Sequence, residues 1–256
     1  MTAGHGPVDW RVDGLAVYDA PARPGARVVL VHGSMDRGAS FVKAVRQLRD
    51  LAVVRYDRRG YGRSNGAGVA ETVAAHVDDL LAIVGSEPAV VVGHSLGGVI
   101  AVTAAVRRPD LIPSVGAFES PMSWLTTWPS WSPGGQALAS GEDEAAERFM
   151  RGIVGDEGWE QLPAGTRAAR RAEGPALVAE LASLRHEAPY DPTAITVPVL
   201  TGYGSESKAY HQDAARRLAE EAALGELVVI EGAGHAAPVT HPKEFAAFVR
   251  RAVARA

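Results

Sequence analysis

The sequence predicts an α/β fold whose mostly parallel sheet is covered by helices on both faces. Short runs rich in β-branched residues alternate with longer stretches of helical periodicity, the pattern of successive βαβ units. Several of those runs are nearly unbroken in Val, Leu and Ile, as strands buried on both sides require. One long stretch, 121–189, breaks the alternation and shows no strand. The 256 residues, 46% of them hydrophobic, suffice for one core with an insertion in it.

In chain order, Val8–Val12 and Leu15–Tyr18 read as a leading hairpin. Arg27–Val31, Ala52–Tyr56, Ala89–Gly93, Val115–Phe118, Val197–Thr201 and Glu226–Ile230 are the clearest strands. Thr72–Val84 sets Val73, Val77, Leu80, Leu81 and Val84 on one helical face, with Thr72 as N-cap and Gly85 as stop. Phe245, Phe248, Val249 and Val253 mark a terminal amphipathic helix over Pro242–Ala256. The insertion opens on a Trp-, Pro-, Ser- and Gly-rich segment holding Trp124, Trp128 and Trp131. Helical patterns follow over Glu142–Val154 and Thr166–His186, with a loop expected at Asp156–Gly165. Core segments 1–120 and 190–256 would then flank a helical cap at 121–189.

Composition removes whole classes of function. Acidic and basic residues are mixed along a chain of formal net charge -4, without the basic stripe that nucleic acid would need. With 0 cysteines there is no disulfide framework, thiol chemistry or Cys-ligated metal. No His, Asp and Glu set has metal-site spacing, and no G-x-G-x-x-G opens a helix after a strand, so no metal or nucleotide cofactor is expected. No signal peptide or membrane-spanning run is visible, and a cytoplasmic protein is the expectation. No oligomeric state is implied.

The strongest chemical motif is Gly93-His94-Ser95-Leu96-Gly97-Gly98, a G-x-S-x-G pattern. A strand runs into it and an Ala/Val-rich helix runs out. A strand-to-helix turn this sharp lifts a serine hydroxyl above the sheet, and side chains in place of Gly93 or Gly97 would collide across it. The backbone N–H of Leu96, at the helix start, is a candidate donor to a developing oxyanion. His235, in the small-residue loop Gly232-Ala233-Gly234-His235-Ala236 after the last strand, is the preferred general base. His241, in a His-Pro cap, is the nearest competitor. His94 is expected to point away from the Ser95 hydroxyl, and His5, His76, His186 and His211 to be surface or cap residues.

His32-Gly33 after a strand, Asp57-Arg58-Arg59-Gly60-Tyr61-Gly62-Arg63-Ser64, the Ser95 turn and Gly234-His235 occur in the order found in the α/β-hydrolase superfamily, which this chain resembles over nearly its whole length outside the insertion. The resemblance implies the α/β-hydrolase fold: an eight-stranded, mostly parallel sheet flanked by helices, with a helical cap. It also implies that Ser34 supplies a second oxyanion N–H beside Leu96, that His32 is a structural hydrogen-bonder, and that the Asp57–Ser64 segment is a structural turn.

The chain departs from the common family pattern at the acid. Three residues beyond Gly204, where an Asp would stand, it has Ser207. In some family members the orienting carboxylate follows the strand before the cap, and here Glu119 stands there. Glu119 is preferred, ahead of Glu206 and then Asp213. The expected function is a cofactor-free serine hydrolase, cleaving a small-to-medium apolar ester, thioester or lactone through an acyl-enzyme on Ser95. Met35, Trp124, Trp128 and Tyr203 are candidate substrate-binding residues. The alternatives are carbon–carbon bond hydrolysis on the same residues and a non-catalytic ligand-binding member of the fold.

Overall fold

In the computed structural model, residues 10–18 and 25–256 are described. Val8 and Asp9 of the expected hairpin, and His5, lie outside them. Eight strands form one sheet: β1 (Trp10–Val12), β2 (Leu15–Tyr18), β3 (Arg27–Val31), β4 (Ala52–Tyr56), β5 (Val90–His94), β6 (Val115–Phe118), β7 (Val199–Gly204) and β8 (Gly225–Ile230). Their order is β1-β2-β4-β3-β5-β6-β7-β8, antiparallel from β1 through β2 to β4 and parallel from there on. The expected strands sit where the β-branched runs place them. The run at Val197 enters the sheet only at Val199 and extends to Gly204.

Helices α1 (Val42–Val45), α2 (Val73–Val84) and α3 (Leu96–Arg107) fall within the first part of the chain. Between β6 and β7 come α4 (Pro133–Ala139), α5 (Glu142–Glu160), α6 (Ala164–Arg171) and α7 (Gly174–His186), and α8 (Ala209–Glu221), α9 (Ala237–Thr240) and α10 (Pro242–Val253) close the list. The Thr72 hydroxyl accepts the Ala75 N–H at 3.2 Å, and Gly85 takes φ 68°, the left-handed stop expected of it.

Strand alternation divides the core. Val29, Val31, Val54 and Val91 face α2 and α3, whereas Val28, Leu30, Val53, Val90 and Val92 face α1 and α10. A third cluster lies in the insertion, where Ala145, Ala146, Met150, Trp159 and Leu177 bury Met35 and Tyr61 from the core.

Two expectations in the insertion are corrected: the Thr166–His186 pattern is two helices, α6 and α7, broken after Arg171, and α6 already begins at Ala164 within the expected loop. The Asp156–Gly165 loop is helical up to Glu160, because α5 continues past a kink at Gly155, whose φ of 79° only glycine adopts without strain. Burial of Trp159 holds this second limb in place. No helix among the described residues is long and apolar enough to cross a membrane.

Candidate active site

β5 ends in a turn that leaves Ser95 at φ 55°, ψ -129°, a strained conformation for a residue with a side chain. The Ser95 N–H donates to the Phe118 carbonyl at 2.9 Å, and the Ser95 carbonyl accepts the Gly98 N–H at 2.8 Å. A Cβ on Gly93 would lie 2.0 Å from the Gly97 carbonyl oxygen, and one on Gly97 2.1 Å from that of Val31. The turn can therefore close only with glycine on both sides of the serine. Leu96 follows at the first position of α3, where a backbone N–H has no intrahelical acceptor. Gly33 comes so near that a Cβ there would lie 2.8 Å from the Ser95 Cβ. The next residue, Ser34, lines the same cavity as Ser95 and Leu96.

The parallel register sets the ends of β5, β6, β7 and β8 side by side, so that residues far apart in sequence meet at the carboxyl edge of the sheet. Glu119 lies just past β6 at φ 50° and is fully buried. Its Oε2 accepts from His235 Nδ1 at 2.6 Å, and its Oε1 accepts the Gly204 N–H at 2.9 Å and the Ser207 hydroxyl. Burial pushes this carboxyl up, but the hydrogen bond and charge of His235, the nearby His211 and the Ser207 hydroxyl outweigh it. The Glu119 pKa is held at about 2. The ionised acceptor fixes a proton on Nδ1 of His235 and leaves Nε2 directed away from Glu119.

Glu206 and Asp213 make no such contact: Glu206 is exposed in the cavity lining, and Asp213 pairs with Arg216 at 3.0 Å. The imidazole of His235 is held between two others. His94 lies 4.7 Å away between ring centroids and His211 4.6 Å away, the latter stacked. His94 Nε2 donates to the His235 carbonyl at 2.7 Å, which ties the base's loop to the residue preceding Ser95. Burial first, and the charge of His235 second, lower both His94 and His211 to about 3, so both are neutral. His241 bonds to its neighbour Thr240 instead.

Two histidines expected at the surface or in the cap are elsewhere. His76 is buried under the insertion, and His211 packs against His235 and lines the cavity. For His76 a signal was available, because it falls on the face of α2 defined by Val73, Val77 and Leu80. His211 gives no local signal. The approach of α8 to the sheet's carboxyl edge brings it in. That approach also creates a set that spacing alone did not suggest: donor atoms of Glu119, His211 and His235 lie within 4.8 Å of one another, near enough to share a metal ion. Both Glu119 oxygens already accept hydrogen bonds.

The cavity beside Ser95 measures about 570 Å³, and Trp128, Leu138, Phe149, Ile153, Leu181 and Leu184 give it largely apolar walls. Of the four candidate substrate-binding residues, Trp128 lines it and three do not. Met35 is buried between the core and the insertion, its carbonyl accepting from Arg170 at 2.7 Å. Trp124 packs edge-on against Tyr190 at 5.4 Å. Tyr203 faces away, with its hydroxyl accepting from Arg216 at 2.7 Å and its ring beneath that guanidinium. Trp131, exposed by 61%, lines the cavity where it reaches solvent.

The charged turn after β4 is structural. Asp57 accepts from the Gly38 and Arg63 N–H groups and the Tyr18 hydroxyl at 2.8–2.9 Å. Arg58, wholly buried, donates to the carbonyls of His32 and Gly33 at 2.9 Å and, at 2.8 Å, to Glu180 of α7. Its N–H also donates to His32 Nε2 at 2.8 Å, so His32 carries its proton on Nδ1, bonded to the Gly33 carbonyl. Burial, with the charge of Arg58 next, keeps that imidazole neutral.

Known proteins resemble this chain in sequence or in fold to differing extents. Over 95 residues the chain is 37% identical to Lipase LipV of Mycobacterium tuberculosis, covering 36% of each chain. It spans 43% of the length of the uncharacterized hydrolase YraK of Bacillus subtilis, at 35% identity. With the pimeloyl-[acyl-carrier protein] methyl ester esterase of Aeromonas hydrophila it is 29% identical over 86% of this chain and 92% of that one. Among solved structures, the enol-lactonase from Burkholderia xenovorans LB400 superposes with a TM-score of 0.73 at 20% identity, covering 94% of this chain and 95% of that one. The thermophilic esterase from Thermogutta terrifontis gives 0.72 at 20% identity over 94% and 93%. These two similarities concern the fold. The family model for the alpha/beta hydrolase family matches residues 28–248, which takes in the serine turn, the acid and the histidine, and the chain belongs to that family.

Proposed function

We propose that the protein is a serine hydrolase that cleaves a small-to-medium, largely apolar ester, thioester or lactone through an acyl-enzyme on Ser95. The observation that carries this reading is the 2.6 Å hydrogen bond from His235 to a buried, ionised Glu119, beside a serine held in a strained turn on the same cavity. His235 Nε2 takes the Ser95 proton as Oγ attacks the acyl carbon. The N–H groups of Leu96 and Ser34 receive the negative charge that forms on the carbonyl oxygen. As the tetrahedral intermediate collapses, His235 returns the proton to the departing alkoxide or thiolate. Water then attacks the acyl-enzyme by the same route, releasing the acid and restoring the Ser95 hydroxyl.

Glu119 stays ionised throughout and stabilises the imidazolium. Ser207 in place of an acid does not weaken this scheme, since its hydroxyl donates to Glu119. The apolar walls favour an apolar acyl or alkyl group, and relatives named as a lipase and a methyl ester esterase support an ester-type bond.

The test is a fluorophosphonate probe, with the adduct mapped by peptide mass spectrometry. Stoichiometric labelling of Ser95, absent from folded Ser95→Ala together with turnover of aryl esters, is expected. A folded protein that neither labels nor hydrolyses such esters would overturn the reading.

A further inference from the structure

The largely apolar cavity is lined by one half-buried arginine, Arg185, that has no ion pair among the described residues. Along α7, Leu181, Leu184 and Arg185 share a face at i, i+3 and i+4, and all three line the cavity. Arg185 is half-buried in the last turn of the helix. Its guanidinium lies against the loop that leads into α4: Nη2 is 3.4 Å from the Pro129 carbonyl oxygen and would be 2.9 Å from a Cβ on Gly135.

Four other arginines of the insertion pair with carboxylates, and Arg148, which pairs with none among the described residues, is solvent exposed. Arg151, Arg167, Arg170 and Arg171 each face a glutamate. Arg185 forms no ion pair among the described residues, and its one polar contact is a long bond to a neutral carbonyl. The other charged residues of the lining, Glu206 and Lys208, are both solvent exposed. A guanidinium with open donors in an apolar enclosure is costly to desolvate unless something else completes it.

A second observation points the same way. Ser123 also lines the cavity, is nine-tenths buried at 9% exposure, and its hydroxyl has no hydrogen-bond partner. Buried hydroxyls in native proteins are normally satisfied, so an orphan on a cavity wall marks a place for a ligand's polar atom.

We propose that the substrate carries a carboxylate remote from the scissile bond and that Arg185 binds it, which makes Arg185 a specificity-determining residue. This rests on the serine hydrolase reading above. The planar guanidinium fork matches a carboxylate in a way that a point charge does not. One uncompensated positive charge matches one negative charge, whereas a phosphate dianion would leave an excess in an apolar space. Arg185 and Ser95 line one cavity with largely apolar walls, so the substrate would be amphipathic: an ester-type bond at one end, an acid at the other and a carbon chain between.

The test uses matched esters that differ only in a terminal carboxylate or a terminal primary amide, placed on the acyl chain in one pair and on the leaving group in the other. In one pair, the wild type is expected to prefer the acid over the amide in kcat/KM. Arg185→Gln should lower that ratio about 10- to 100-fold, chiefly through KM, and Arg185→Lys should recover part of it. If Arg185→Gln does not fold, inhibition of the wild type by straight-chain carboxylates against amides of equal length reads the same contact, with tighter binding of the acids expected. A ratio that Arg185→Gln leaves unaltered in both pairs, or equal inhibition by acid and amide, would overturn the proposal. Failure of the hydrolase reading looks different: neither member of either pair is turned over, and Ser95 takes no probe.

Discussion

Glu119 and Glu180 have nearly the same electrostatics and opposite surroundings. Both are fully buried, both accept several hydrogen bonds, and in both the opposite charges and donors overcome burial and hold the carboxyl at about 2. Glu180 faces Arg58, which is itself wholly buried and shares the acid with the Tyr61 hydroxyl and His76. Glu119 faces His235, whose side chain is 26% exposed and lines the cavity. A depressed carboxyl therefore does not by itself identify a working acid. The distinction lies in the partner: a guanidinium is permanently charged and here sealed, while an imidazole can change its proton count and reach a substrate.

This comparison can be broken at either acid. Replacing Glu119 by Gln keeps the shape but removes the charge that stabilises imidazolium, and kcat should fall by about 10³- to 10⁴-fold with Ser95 still in place. Steady-state kinetics on an activated ester, beside a thermal melt close to the wild type, checks this; a loss under tenfold would show that Glu119 does no more than hold its loop.

The larger structural effect belongs to Glu180→Gln, which strands the Arg58 charge in the core and should cost about 3–5 kcal/mol of stability. Urea unfolding measures it, and a change below 1 kcal/mol, on the order of an ordinary surface substitution, would place the two acids in one class after all.

Acid on the wild type tests both carboxyls at once. A carboxyl whose folded pKa is depressed contributes stability that is complete above its ordinary value of 4.5 and is lost as pH falls towards about 2. The contribution of these two groups should thus be full and independent of pH between 5 and 8, and the unfolding free energy should decline below about 4.5. An unfolding free energy that held constant down to pH 2 would contradict the depressed values.

Glu119 could be named from the sequence because some members of the family it resembles carry their acid after the strand before the cap, and an acid directly after an apolar run needs a partner; the strand order, which sets the end of β6 between those of β5 and β7, came only with the structure. Ser207 was legible only as a missing acid; that its hydroxyl supports Glu119 depends on the turn after β7, where the Ser207 N–H bonds to the Gly204 carbonyl. Glu180 was invisible for a different reason. It lies in a stretch that reads simply as helical, and its partner Arg58 is 122 residues away, in the turn after β4. Pairings of that kind are written in the packing, and no local pattern encodes them. Tyr203 and Trp124 failed as pocket residues on the same ground: an aromatic near a site in sequence can spend its face on an arginine or another ring.

The bond between Arg58 and Glu180 also bears on how a substrate gets in. Swinging the α4–α7 region outward like a hinged lid would pull a sealed ion pair apart, at a cost of about 3–5 kcal/mol, and would loosen the backbone that carries Ser34. Traffic is cheaper past Trp131, where the cavity already meets solvent. A ligand that enters with the ion pair intact would have to pass the exposed rim of the cavity, so its girth would be limited by rim side chains such as Trp131 rather than by the motion of a lid.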